Sequence, residues 1–165
     1  MTFKLWSVGS SAKKDAGSPV WRLMAFDDLR VLELYEVLRL RSEVFVVEQQ
    51  CVFQDIDGLD RNAMHLLGVQ GGELAAYARC FAPGVMFAEA SIGRVLVRKS
   101  ARASGLGHAL MQQAILATGQ VWGPQAIRIG AQAHLAGFYA KHGFVDVGKP
   151  YMEDGIPHLE MLLAA

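Results

Sequence analysis

Arg102 is followed three and five positions on by Gly105 and Gly107, in the stretch "RASGLG", and two more cations, Arg98 and Lys99, lie just before it. Cations and glycines at a strand-to-helix junction suit an anion. The first N–H groups of a helix have no partner, the helix dipole is positive there, and residues lacking Cβ let a phosphate reach the backbone. The candidate anion-binding residues are Arg102, Ala103, Ser104, Gly105, Leu106, Gly107 and His108. The spacing fits neither GxxxxGK[ST] nor GxGxxG with an acidic residue about 20 positions on, so it indicates neither a P-loop nor a dinucleotide fingerprint. Taken alone, the stretch is equally a plain tight turn.

Other chemistry-bearing residues are scattered. His65 follows the acidic stretch "QDIDGLD" and can serve as a base near neutral pH, although a lone histidine is more often structural. Glu89 shares strand parity with Val95 and Val97 and is a second candidate base, or merely a solvated strand end. "EDGIPH" gathers Glu153, Asp154 and His158, either as a polar turn or as a loop that selects a cationic amine. Glu48, Asp55, Asp57 and Asp60 add to that acidity unless they are simply solvated. His134 and His142 are too widely spaced to converge on a metal from a helix, so no metal is expected. Cys51 and Cys80 show no CxxC spacing and no nucleophile setting, and read as free thiols.

The elements that must position these groups follow from periodicity. "VWRLMAF" is a first strand, and Asp27 and Asp28 supply N-cap chemistry for a helix running to about Gln49. Val31, Leu34, Leu38 and Phe45 fall at helical offsets and define its buried face. "HLLGVQ" and "ELAAYARCFA" flank Gly71-Gly72 as a hairpin, and "AEASIGRVLVRK" is the next strand. A helix from Leu106 to about Thr118, a strand "QAIRIGAQ", a short helix "HLAGFYAKH" and strands "FVDVG" and "HLEMLLA" complete the chain, with "KPYMEDGIP" as a loop. That order predicts a mixed α/β or α+β sheet with helices on both faces. Residues 1–19 read as a flexible lead-in to a single domain over 20–165.

Composition narrows the function. The chain has 165 residues, 52% of them apolar, and zero formal net charge. This suits one globular domain and disfavours nucleic acid as a partner. No apolar run approaches the length of a membrane span, and no secretory signal pattern opens the chain, so a cytoplasmic protein without a membrane partner is expected. Oligomeric state stays open, a homodimer included.

"VLVRKSARASGLGHALM" resembles the pyrophosphate-binding motif of the GNAT acetyltransferases, an R/Q-x-x-G-x-G/A loop after the fourth strand. "GAQAHLAGFYAKHGF" is similar to the family's second hallmark, a strand and a helix carrying Phe-Tyr and closed by Gly-Phe. "LYEVLRLRSEVFVVEQQCVFQDIDGLD", "IGRV" and "YMEDGIPHLEM" resemble the ElaA subgroup. The resemblance implies a GNAT fold, mostly antiparallel and splayed between the fourth and fifth strands, and acetyl-CoA as co-substrate. It implies direct transfer of the acetyl group to the primary amine of a small molecule or peptide. It adds Val95, Leu96 and Val97 as a pantetheine-binding edge, with an N–H near Val95 facing the thioester oxygen. Gln132 (where many members have Asn), Phe138 and Lys141 join the cofactor-binding residues, and Tyr139 becomes the general acid. Glu89 or His65 is the base, and Glu48, Glu153, Asp154 and His158 contact the acceptor. Ala103 stands where family loops often have Gly, and is expected to take an ordinary backbone conformation or loosen the phosphate contact. The rival readings are a non-catalytic acyl-CoA-binding or sensing module and a nucleotide phosphotransferase.

Overall fold

A computed structural model describes residues 17–165; most of the lead-in expected over 1–19 lies outside the described residues. Seven strands form one sheet in the order β1-β2-β3-β4-β5-β7-β6. They are β1 (Val20–Ala25), β2 (Ala63–Gln70), β3 (Glu73–Phe81), β4 (Ala90–Val97), β5 (Ile127–Gln132), β6 (Val145–Glu153) and β7 (Ile156–Leu163). Every neighbouring pair is antiparallel except β4 and β5. Those two pair only at Ala90 with Ile127 and Ser91 with Arg128, then diverge, as the family resemblance implied.

Helices cover both faces. α1 (Val31–Arg41) sets Val37 and Leu40, with Val44 beyond its end, against Leu67, Tyr77 and Leu96 on one face. α2 (Leu106–Trp122) sets Leu106, Leu110, Met111 and Ala114 against Leu66, Ala76, Ala78 and Cys80 on the other. Alternate residues of β2 and β3 thus serve two separate cores.

Three expectations change. α1 is capped by Arg30, whose N–H donates to the Glu33 carboxylate at 3.0 Å; Asp27 and Asp28 sit in a preceding 3₁₀ turn and do not cap it. The buried stripe is 37-40-44 rather than 31-34-38-45, and Val31 is 83% exposed. β6 and β7 run on through much of "KPYMEDGIP" and meet at Asp154-Gly155, both at positive φ, as a tight two-residue hairpin requires.

Two irregularities aim residues at the splay. The β3–β4 register slips by one between Tyr77↔Leu96 and Arg79↔Gly93, and Arg94 sits in this bulge at φ +50°. Beyond α1 the chain winds with a wider π turn over Ser42–Glu48, a variant that often marks functional positions. Among the described residues no helix is long and apolar enough to cross a membrane.

Candidate functional site

The junction between β4 and α2 presents bare donors. Among the described residues, none of the backbone N–H groups of residues 103–107 has a hydrogen-bond partner, while those of His108 and Ala109 bond to Gly105 O. Gly105 caps the helix at φ +80°, and a Cβ built there would meet nothing within 4 Å. Ala103 takes φ +64°, correcting the expected ordinary conformation. The alanine accepts left-handed strain of about 1–2 kcal/mol and reaches the geometry a glycine there would have. Five unbonded N–H groups at a helix start fit an anion such as a pyrophosphate.

Around this cradle, the Phe138 ring lies tilted against His108 with centroids 4.8 Å apart and sits under Gly107. His108 Nδ1 is 2.9 Å from His142 Nε2, and burial, then His108, keeps the His142 imidazole below its ordinary pKa. Leu96 and Leu106 bury their side chains in the cores, so only their backbones are free to serve the site. Lys141, at the end of the short helix α3 (Ala136–Ala140), is exposed. Arg102 is already engaged: its Nε donates to Val97 O at 2.9 Å and its terminal nitrogens pair with Glu48. Its guanidinium holds the Glu48 carboxyl below the usual carboxylate range. Glu48 therefore belongs to the cradle side and does not line the cleft where an acceptor was expected to meet it.

Where β4 leaves β5 a cleft of about 270 Å³ opens. Phe45, Phe53, Phe81 and Phe87 give it apolar walls; Val95, Gln132 and Tyr139 line it from the splayed strands and α3. Tyr139 is 8% exposed, and burial pushes its hydroxyl up to about 12, so it stays protonated at neutral pH. Gln132 Nε2 donates to Gln49 Oε1 at 3.1 Å. The β6–β7 hairpin brings Glu153, Asp154 and His158 to the rim, with the Tyr151 ring stacked at 5.4 Å on His158. His158 Nδ1 lies 2.8 Å from Ile156 O, so it carries the proton and Nε2 is the acceptor nitrogen of the neutral ring.

Both candidate bases are placed elsewhere. His65 is fully buried; Nε2–H donates to Asp60 O at 2.9 Å, leaving Nδ1 to accept from the Tyr77 hydroxyl at 2.8 Å. Burial lowers its pKa, and it does not line the cleft. Glu89 is held by Arg128 at 2.9 Å, whose hydrogen bonds bring the carboxyl down to about 2. So weak a base, tied up outside the cleft, has no proton to take there.

The acidic stretch "QDIDGLD" is not a solvated loop. Asp55 and Asp60 are buried, and Arg41, itself fully buried, bonds to them at 2.9 and 2.6 Å. Arg79 bonds to Asp57 at 2.7 Å and Asp60 at 3.0 Å, and Arg94 to Asp55 at 2.7 Å. Burial alone would raise the Asp57 carboxyl, but hydrogen bonds from Arg79 and the Leu59 N–H hold it at about 2. Arg79 and Arg94 also line the cleft, so this cluster is its floor and not a lure for an amine. Sequence reasoning missed these arginines; the available signals were Arg79 inside the apolar run "ELAAYARCFA" and Arg41 one position past the buried Leu40. Among the described residues no three of His, Cys, Asp and Glu are grouped to hold a metal ion.

Comparison with known proteins shows the family and the fold. The family model "Acetyltransferase (GNAT) domain" matches residues 32–165. Protein ElaA of Escherichia coli is 41% identical over 143 residues, 86% of this chain and 94% of that protein. A UPF0039 protein of Synechocystis is 41% identical over 143 residues, 86% of this chain and 93% of that one. The crystal structure of an acyl-CoA N-acyltransferase from Pseudomonas aeruginosa superposes with a TM-score of 0.84 at 43% identity, covering 89% of this chain and all of that one. The crystal structure of E. coli ElaA superposes with a TM-score of 0.81 at 39% identity, covering 88% of this chain and 99% of that one.

Proposed function

Because the chain belongs to the GNAT acetyltransferase family, we propose that it is an acetyl-CoA-dependent N-acetyltransferase that moves the acetyl group directly to a primary amine. The observation that carries this reading is the run of five unbonded N–H groups at residues 103–107, one turn of chain beyond a strand that has left its neighbour. Acetyl-CoA supplies an activated acyl thioester when bound. The N–H groups of residues 103–107 would hold its pyrophosphate, with Arg102 bracing the loop through Val97 O. The edge of β4 at Val95, Leu96 and Val97, free of β5, offers main-chain groups to an amide-bearing arm as to an added strand. Beside the bulge at Arg94, the Val95 N–H is the donor assigned to a thioester oxygen, where negative charge develops in acyl transfer.

On the acceptor side, Glu153 and Asp154 attract an ammonium ion at the rim. His158 takes over the role expected of His65 or Glu89, because Nε2 keeps its lone pair and the ring lines the cleft. Tyr139 gives its proton to the departing thiolate. Neither cysteine is needed: burial pushes the Cys80 thiol up to about 12, and Cys51 Sγ donates to Asp154 O at 3.5 Å.

The test has two parts. Calorimetry should show CoA binding that raises the melting temperature, and Gly105→Val should bind at least about tenfold more weakly because a side chain at that φ is strained and stands where the anion sits. Acetyl-CoA with a panel of primary amines should release free thiol in proportion to acetylated amine. CoA binding without thiol release from any amine would identify a sensing module instead, and full CoA affinity in Gly105→Val would remove the cradle.

A further inference from the structure

Three buried side-chain polar atoms have no hydrogen-bond partner among the described residues, and two of them, Arg79 Nε and Ser91 Oγ, belong to residues that line the cleft. Arg79 is 2% and Ser91 3% exposed. A buried donor left without a partner is costly, so a site that holds two of them in one wall is shaped for something that satisfies both.

The strand register puts the pair together. Phe81 faces Ser91 and Arg79 faces Gly93, so Arg79 and Ser91 are diagonal neighbours on one face of β3 and β4. Such neighbours stand about 7–8 Å apart at Cα, within reach of one small polar group between them. The Phe81 ring, 4.9 Å from the Arg79 guanidinium carbon, forms the apolar side of the same corner. Ser91 lies where β4 still touches β5, at the closed end of the splay. Val95 is four residues further along β4, roughly 13 Å at about 3.3 Å per residue. Ser91 is therefore remote from the acyl-transfer end, and Arg79, opposite Gly93, stands between the two, so the pair meets the tail of an acceptor rather than its amine.

Charge decides what kind of tail. Three guanidiniums, Arg41, Arg79 and Arg94, face three carboxylates, Asp55, Asp57 and Asp60, so the floor is balanced before any ligand arrives. Glu153 and Asp154 then leave the cleft with excess negative charge. A tail carboxylate would be repelled by that excess, and a second ammonium would set its N–H bonds against Arg79 Nε–H. An uncharged oxygen meets neither penalty.

We infer that the acceptor is a primary amine whose far end carries an uncharged hydrogen-bond-accepting oxygen, an amide carbonyl or hydroxyl, received at the closed end of the cleft by Arg79 Nε–H and Ser91 Oγ–H. This rests on the cleft being the amine site, and it selects amino-amides, peptides and amino-alcohols over polyamines and free amino acids.

The experiment measures binding and turnover side by side. Hexylamine, ε-aminocaproamide, ε-aminocaproate and hexamethylenediamine are titrated calorimetrically into the CoA-loaded protein, and each is assayed with acetyl-CoA for thiol release. The amide should bind about tenfold more tightly than hexylamine, as one hydrogen bond to a charged donor allows, and more tightly than the carboxylate or the diamine. In Ser91→Ala the advantage of the amide over hexylamine should shrink by about threefold. The melting temperature of that variant should hold or rise, because the hydroxyl it loses had no protein partner. Equal affinities for hexylamine and the amide, no measurable binding of any of the four, or a lowered melting temperature in Ser91→Ala would each overturn the inference. The amide preference in binding without thiol release would keep it and defeat the transferase reading. Thiol release from all four amines at equal affinity would do the reverse.

Discussion

Tyr139 keeps its ring in a corner made by the rings of Phe138 at 5.1 Å and Phe144 at 6.2 Å, both edge-on to it. That packing shields the phenol, which burial lifts to about 12. The consequence is chemical as well as structural: the proton is always present at working pH, and the ring that carries it is fixed. Tyr139→Phe keeps all the ring contacts and removes only the proton. If this group protonates the leaving thiolate, kcat should fall by about 10²-fold, the low end for a general acid. KM and CoA affinity should change little, since the interaction grows only in the transition state. Steady-state kinetics of the variant decide it, and an unchanged kcat would leave Tyr139 as a packed aromatic. The same logic applies at the rim. His158→Gln retains a donor for Ile156 O but has no basic nitrogen, and should lower kcat/KM by about 10²-fold if Nε2 takes the amine proton. Glu89→Gln should leave kcat/KM within about twofold, because a carboxyl at about 2 is too weak a base to have served.

β5 and β7 hold the acceptor wall through a glycine. A Cβ built on Gly130 would overlap the Tyr151 hydroxyl, so the bare backbone of β5 is what lets that ring lie across β7 and stack on His158. Gly130→Ala should displace Tyr151 and His158 together. The clash is with the tip of a side chain at an exposed position, so the sheet should survive, and KM for the amine should rise about tenfold with CoA affinity unaltered; equal shifts in both constants would mean a general loss of the sheet. The β2–β3 hairpin, β4, the glycine junction and α2 are legible because each shows an apolar period or a turn signal that its few polar residues do not mask. α1 is misphased in the sequence because the exposed Val31 and half-buried Leu34 look as core-like as Val37 and Leu40, and because nothing local says that Arg41 points inward. The carboxylates of "QDIDGLD" looked solvated because their partners come from a helix and two strands distant in the chain. The sequence ends β6 at Gly148 because Lys149-Pro150 reads as the start of a loop, where the structure instead shifts register between Asp146 and Pro150 and continues. The Gly105 turn announced itself; Ala103 at positive φ did not, since alanine gives no sign of that conformation.

Across the whole molecule, two apolar cores lie on opposite faces of the sheet, and the buried ionic cluster ties α1 and the 55–60 segment to β3 and β4. His65 sits against that cluster with both ring nitrogens committed, one of them to a backbone carbonyl that can only accept. Protonating the ring would strip Nδ1 of its acceptor role toward Tyr77, inside a space already holding Arg41 and Arg79. Burial, with those cations, therefore lowers the folded pKa of His65, and burial and His108 lower that of His142. The sign follows from proton counts. Above about pH 6.5 both histidines are neutral folded and unfolded, and they contribute no pH dependence. As pH falls below that, the unfolded chain takes up protons that the folded chain refuses, so stability declines by up to about 1.4 kcal/mol per pH unit for each histidine until its folded pKa is reached. Asp57, ordinary near 4 when unfolded and about 2 when folded, stays charged in both states across this interval and adds its own loss only below about pH 4. Urea unfolding at pH 7.5, 6 and 5 should accordingly show falling stability well above the carboxylate range. His65→Gln, which keeps one neutral donor and one neutral acceptor, should flatten part of that slope, and adding His142→Gln should remove most of the rest. A double variant with the wild-type slope between pH 6.5 and 5 would place the responsible proton on some other group.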